Sequence, residues 1–213
     1  MKINESLTIS QYSSSEAFYD EQNIHRRYFY YIDLQGRLFL ENTRPKNIAT
    51  SLKSSKFLKF FFSQLRPNRM PPTPIAEQLQ NIHPFLEYPY RSPCGKEMNF
   101  IKCADRPLVF EELRRCEEDE SQWEFVFGGG ELAMPFRPDA LRISLTTGRL
   151  YHDVHTKHFP QGDPESVGLV RSQVAVELGR TIHLHDDIDT SVSSPIIGEF
   201  EWDGRAYPIR AME

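Results

Sequence analysis

Trp123-Glu124-Phe125-Val126-Phe127 carries an aromatic ring at every second position, and Leu141-Arg142-Ile143-Ser144-Leu145 turns at Thr146-Thr147-Gly148 into Arg149-Leu150-Tyr151. Side chains two residues apart share one face of a strand, so both runs read as half-buried strands and the second as a hairpin. Working outward, residues 132–136 lie between them, and Met98-Asn99-Phe100-Ile101 and Leu108-Val109-Phe110 precede them. All read as strands, expected to be antiparallel neighbours. Further out, Tyr28-Phe29-Tyr30-Tyr31-Ile32 and Arg37-Leu38-Phe39-Leu40 flank Asp33-Leu34-Gln35-Gly36, and Glu199-Phe200-Glu201-Trp202 meets Arg205-Ala206-Tyr207 across Asp203-Gly204. Both are hairpin signals, the second of the two-residue Asp-Gly kind.

Helical spacing occurs twice. Residues 45–65 hold no internal Gly or Pro after Pro45, and Ile48, Leu52, Leu58, Phe61, Phe62 and Leu65 fall on one broad side of a 100° wheel. A second helix is expected over 164–178, with Asp163 as N-cap, Pro164 at the first position, and Val167, Val170, Val174 and Leu178 at 3–4 spacing before Gly179. Two principal helices among runs of strands, without βαβ alternation, predict an α+β class that is mainly antiparallel β. The polar residues 1–25 read as a mobile arm and 26–213 as a single compact domain. Residues 67–93 hold seven prolines and read as a long internal connection, with one short helical turn at 75–79.

The composition allows a real core: 213 residues, 39% apolar and 12% aromatic. No run of about 18 uncharged apolar residues exists, so no transmembrane segment is expected and the chain reads as soluble. The first residues lack a secretory apolar stretch. Cys94, Cys103 and Cys116 are odd in number and contain no C-x2-C pair, which fits a reducing compartment rather than a disulfide framework.

The motif search excludes more than it assigns. Gly128-Gly129-Gly130-Glu131-Leu132-Ala133 matches G-x-G-x-x-A, but Pro135 forbids the helix whose N-terminal amides would hold a pyrophosphate, so a tight turn with close backbone approach is expected. Pro164-Glu165-Ser166-Val167-Gly168 lacks the first glycine of a nucleophile elbow. His152, His155 and His158, with His183 and His185, flank the helix read over 164–178 and read as surface-loop histidines rather than a metal site. No cofactor and no metal are expected. Cys94, beside Lys96, reads as an ordinary half-buried thiol.

Charge is the informative asymmetry. Residues 42–76 contain Arg44, Lys46, Lys53, Lys56, Lys59, Arg66 and Arg69 and no acid, leaving 18 of the 25 bases against all 30 acids elsewhere. On the wheel Lys46, Lys53 and Lys56 oppose Leu58 and Leu65, with Phe57 and Phe60 at the edges, while Lys59 falls among apolar positions and would have to snorkel. The face reads either as a docking surface or as a solvated face balanced by the chain's own acidic segment 111–120. The run Glu117-Glu118-Asp119-Glu120 reads as a solvated loop.

Six blocks in order carry a resemblance: 28–40, 57–68, Cys94-Gly95-Lys96-Glu97-Met98-Asn99-Phe100 running on to Cys103-Ala104-Asp105-Arg106-Pro107-Leu108-Val109-Phe110, then 128–136, Gly148-Arg149-Leu150-Tyr151-His152, and 168–178. Together they resemble a small eukaryotic family of mitochondrion-associated proteins classed only as a domain of unknown function. The resemblance implies a mitochondrial location, otherwise a cytoplasmic one, and no catalytic residue. The Asp105-Arg106-Pro107 region with its following β-run is also similar, faintly, to a bacterial β-rich family of unknown function.

Two classes of function follow. The first is a non-catalytic binding module that engages an acidic protein, or nucleic acid or anionic lipid, through Lys53, Lys56, Lys59, Phe60, Arg66 and Arg69, with a second copy of the chain as a further candidate partner. The alternative is an enzyme or small-ligand binder whose pocket gathers Glu97, Asp105, Arg106, Glu131 and His152. The absence of every catalytic signature tested favours the first.

Overall fold

In the computed structural model, which describes residues 26–69, 87–188 and 192–212, the aromatic run forms β1 (Arg26–Ile32) and folds back as β2 (Leu38–Leu40). Asp33 makes the turn. Its Oδ1 accepts the backbone N–H groups of Gln35 and Arg37, both at 2.9 Å, and Gly36 takes φ +80°. The chain continues through α1 (Ser55–Ser63), β3 (Arg66–Pro67), β4 (Tyr90–Cys94), β5 (Glu97–Cys103), β6 (Val109–Arg115), β7 (Trp123–Phe127), β8 (Leu132–Pro135), β9 (Leu141–Ser144) and β10 (Leu150–Asp153). It ends with β11 (Val167–Val170), α2 (Ser172–Gly179), β12 (Ile182–Leu184), β13 (Ile196–Trp202) and β14 (Arg205–Met212).

Among the described residues the strands form two sheets. One has five strands in the order β2-β1-β5-β4-β3 and the other nine in the order β12-β13-β14-β9-β10-β11-β6-β7-β8. The expected hairpins are present, and the class is α+β, mainly antiparallel, with two α-helices among the described residues. Three junctions between sequence-distant strands are instead parallel: β1 with β5, β6 with β11, and β9 with β14.

Both helices are shorter than the spacing predicts. Residues 45–54 form turns because polar side chains take the backbone's hydrogen bonds: Asn47 Oδ1 accepts the N–H groups of Ala49 and Thr50, and Leu52 N–H donates to Leu38 on β2 at 2.8 Å. At the second site Asp163 caps a turn, accepting Glu165 N–H at 2.9 Å on its side chain and Ser166 N–H at 2.8 Å on its carbonyl. Residues 167–170 then enter the sheet between β10 and β6, and the helix starts only at Ser172. Pairing on both edges overrides the 3–4 spacing of the valines. Gly168 permits that fit, since a Cβ there would sit 2.6 Å from the Phe110 ring. The proline-rich stretch also differs at its ends, where Arg66–Pro67 and Tyr90–Cys94 pair as strands. Residues 70–86, with the turn expected at 75–79, and the arm 1–25 lie outside the described residues.

α1 bridges the sheets. Phe61 is fully buried, edge-on to Tyr30 of β1 with ring centroids 5.2 Å apart, and its carbonyl accepts the Ser92 hydroxyl of β4 at 2.8 Å. On the other side Leu58 and Phe62 press on the turn between β7 and β8, where a Cβ on Gly129 would stand 2.7 Å from Leu58 and one on Gly128 3.2 Å from Phe62. Gly128, Gly129 and Gly130 all adopt positive φ, so this is the expected tight turn with close backbone approach. Leu58, Phe61, Phe62 and Leu65 thus belong to one buried cluster with Ile101, Phe110 and Phe125.

Candidate functional site

Burying Leu58, Phe61 and Phe62 leaves the opposite stripe of α1 outward, and 3–4 spacing puts Lys56, Lys59, Phe60 and Ser63 on it. All four are exposed, Phe60 at 44%. Lys59 does not snorkel among apolar neighbours, because a helix that starts at Ser55 turns that position to the surface. Lys53 lies exposed just before the helix, near Ile48, which is 70% exposed. Among the described residues Lys53, Lys56 and Lys59 make no ion pair and no hydrogen bond. No carboxylate of the acidic segment forms an ion pair with them among the described residues: Glu111 lines a pocket with Lys53 but accepts Gly129 N–H at 2.7 Å, and residues 117–120 are exposed.

The other cations of the run are committed within the chain. Lys46 donates to the carbonyls of Glu41 and Thr43 at 2.6 and 3.1 Å, and Arg44 to the same two at 2.8 Å each. Arg66 is half-buried, binding the Gln64 carbonyl at 3.1 Å and meeting His158 Nε2 at 3.3 Å. Arg69 forms a bidentate pair with Asp163 at 2.5 and 2.6 Å, which holds that carboxyl below its ordinary range. Of the six residues expected on the docking face, Lys53, Lys56, Lys59 and Phe60 are therefore open, whereas Arg66 and Arg69 are engaged.

The five residues of the alternative pocket are placed apart. Glu97, at the start of β5, pairs with Arg26 at 3.4 Å, and Glu131 follows the glycine turn. Asp105 accepts Arg149 at 2.6 Å and the Tyr151 hydroxyl at 2.9 Å. His152 is fully buried between the rings of Phe110, Phe125 and Phe136. Its Nε2 accepts Arg137 N–H at 3.0 Å, and burial pushes its pKa down to about 4. Only Arg106 opens into a cleft. That cleft also holds Arg142, Asp153, His155, Glu165 and Ser194, none of which the sequence reading singled out together, because their partners lie 11 to 75 residues away.

Among the described residues no group of three His, Cys, Asp or Glu side chains is arranged to hold a metal, and no helix is long and apolar enough to cross a membrane. All three thiols are half-buried and free, and burial pushes Cys103 up to about 12.

A family model described as Domain of unknown function (DUF4505) matches residues 19–212. Two solved structures are also similar. One, a DUF1285 family protein from Silicibacter pomeroyi DSS-3, has 13% identity over 87% of this chain and 81% of that one, with a TM-score of 0.47. The other, a DUF1285 family protein from Shewanella baltica OS155, has 16% identity over 72% of this chain and 91% of that one, with a TM-score of 0.39.

Proposed function

The chain belongs to the DUF4505 family, a domain of unknown function, and on that premise we propose that it is a binding module whose α1 outer face docks on an acidic protein surface. One observation carries this reading: Lys56 and Lys59 share the outer stripe of α1 with the exposed ring of Phe60, Lys53 is exposed just before the helix, and none of the three has an ion pair among the described residues. Exposed ammonium groups steer an anionic partner and fix its register, and a flat aromatic supplies contact area at low entropic cost. The rod that presents them is anchored in the core through Phe61, so docking would require no ordering of the helix itself.

Nucleic acid and lipid fit less well. Phosphate-backbone binding that gains from counterion release usually engages about 6–10 phosphates, and the open patch offers three cations. A membrane-surface helix buries its apolar face in the lipid, and the apolar face of α1 is already buried between the two sheets. The proposed compartment is mitochondrial, resting on the resemblance alone. Fractionation of the tagged chain decides this, and recovery in the cytosol only would reject it.

The test is fluorescence anisotropy with a labelled poly-glutamate peptide, comparing the natural chain with K53E/K56E/K59E. Binding should weaken about tenfold or more in the variant and fall with added salt in the natural chain. Equal binding by the two proteins overturns the reading. So does a natural chain that ignores the peptide and binds single-stranded RNA or anionic vesicles.

A further inference from the structure

A pocket opens beside the C-terminal end of α1, with a volume of about 180 Å³ and a floor of Phe62, Leu65, Leu108, Phe127, Leu132 and Phe159. All but Leu132 are buried in the main core cluster, and Leu132, half-buried, packs against it. The pocket is therefore a dent in the surface of the core. Ser63, Thr156, Lys157 and His158 complete its lining, and of these Ser63 and Lys157 are exposed. The volume is below the roughly 300–1,000 Å³ usual for small-ligand sites, so it suits a single apolar side chain of a larger partner, the kind of anchor that dominates interface energies.

Charge around the mouth is of one sign. No carboxylate lines the pocket, and Glu131, next to Leu132 in the chain, is not among its walls. Lys157 makes no ion pair and no hydrogen bond among the described residues. Arg66 donates from Nη2 to His158 Nε2 at 3.3 Å, and neither it nor Arg91, opposite it on β4, meets a carboxylate among those residues. Like charges thus face each other across β3 and β4 without compensation, and Arg91 Nε is buried without a hydrogen-bond partner. Burial first, and then the nearness of Arg66 and Lys157, pushes the His158 pKa below its ordinary value. Whatever enters here is favoured if it brings apolar surface and negative charge together.

Ser63 also ends the outer stripe of α1 that carries Lys56, Lys59 and Phe60, so pocket and stripe meet at one residue. Resting on the docking role given to that stripe, we propose that the pocket receives an apolar side chain of leucine size from an acidic partner protein whose carboxylates flank that side chain in sequence. At a rise of about 1.5 Å per residue, Lys59 and Lys56 lie roughly 6 and 10 Å back from Ser63, and an extended segment advances about 3.3 Å per residue. The partner's acids therefore stand two and three positions from the anchor. Lys157 receives a carboxylate on the anchor's other side. Exposed lysines steer the partner in, and burial of the anchor slows its departure.

The test is fluorescence anisotropy of the full chain with two labelled peptides, EEELEEE and EEEAEEE. The leucine peptide should bind about tenfold or more tightly than the alanine peptide. That preference should vanish in S63W, whose indole covers the mouth, with thermal unfolding to check that the variant folds. K157E should weaken the leucine peptide several-fold, and K53E/K56E/K59E should weaken both peptides while keeping their ratio. In the natural chain the methyl resonances of Leu65, Leu108 and Leu132 should move with the leucine peptide and not with the alanine peptide, a readout free of any variant. Equal affinity for the two peptides, both still weakened by K53E/K56E/K59E, overturns the anchor pocket and leaves the helix face standing. A leucine preference that persists while K53E/K56E/K59E changes nothing overturns the helix face instead. Hexanoate binding more tightly than the leucine peptide would make the pocket a small-acid site, and a natural chain that sediments as a dimer while S63W is monomeric would make its occupant a second copy; either result overturns the proposal.

Discussion

Lys53, Lys56 and Lys59 come from the same acid-free run as Arg66 and Arg69, yet the two groups meet opposite fates. The arginines are drawn into the body, one onto Gln64 and His158 and the other onto Asp163 across 94 residues of sequence, while the lysines remain on the outer stripe of a helix whose inner stripe is core. A count of charges treats the seven cations alike. What separates them is whether a partner can be brought within reach without exposing Phe61, and geometry meets that condition at the two ends of the run, where Arg44 and Lys46 reach backbone carbonyls and Arg66 and Arg69 reach other strands and loops, but not in its middle.

The difference can be broken or sharpened by experiment. The largest effect should come from the inner stripe: Phe61→Ala removes a fully buried ring and should cost about 3–5 kcal/mol in chemical denaturation, whereas Phe60→Ala, one position away, should cost less than about 0.5 kcal/mol. Similar losses at the two positions would mean that α1 is not held by the face described.

Next comes acid. His152 in the folded chain accepts a proton only near pH 4, against 6.5 when unfolded, so between those values the unfolded state binds more protons. Stability should be full above about pH 6.5 and fall by about 3 kcal/mol as pH drops to about 4. A denaturation series that is flat across this window would show that the imidazole is not sealed in the core.

A smaller effect is expected at the half-buried pair Arg142 and Asp153. Asp153→Asn should cost about 1–2 kcal/mol in thermal or chemical unfolding, between the values for surface and buried pairs. Smallest of all, K53E/K56E/K59E should shift folding stability by less than about 0.5 kcal/mol, since no ion pair is lost among the described residues. A marked destabilisation there would reveal internal clasping of the lysines and remove the docking face.

Much of the scaffold was legible because its signals are local. Alternating rings at 123–127, Asp203-Gly204 between two short runs, and Asp33 before Gly36 each determine their own neighbourhood, and each hairpin is present. The second helix is only half legible because Val167 and Val170 satisfy helical spacing and strand propensity together. What decided between them was the pairing of residues 167–170 with β10 and with β6, more than fifty residues earlier. The start of α1 was lost to Asn47 and Thr50, whose short side chains compete for backbone groups. At the site, the exposure of Lys53 and Lys56 follows from composition and the wheel, whereas that of Lys59 does not, because the wheel counts Ile48 and Leu52 on a helix that starts only at Ser55. The commitment of Arg69 to Asp163, the sealing of His152, and the cleft around Arg106 do not follow either, since each joins residues that only the folded sheets bring together.

The most direct measurement is a heteronuclear NMR titration of the full chain with the poly-glutamate peptide. Shifts should concentrate at Lys53, Lys56, Lys59 and Phe60 and spare the neighbourhood of Arg69 and Asp163. A footprint centred on Arg66 and Arg69, or one spread evenly over the surface, would contradict the claim that the unpaired lysines of α1 are the docking face.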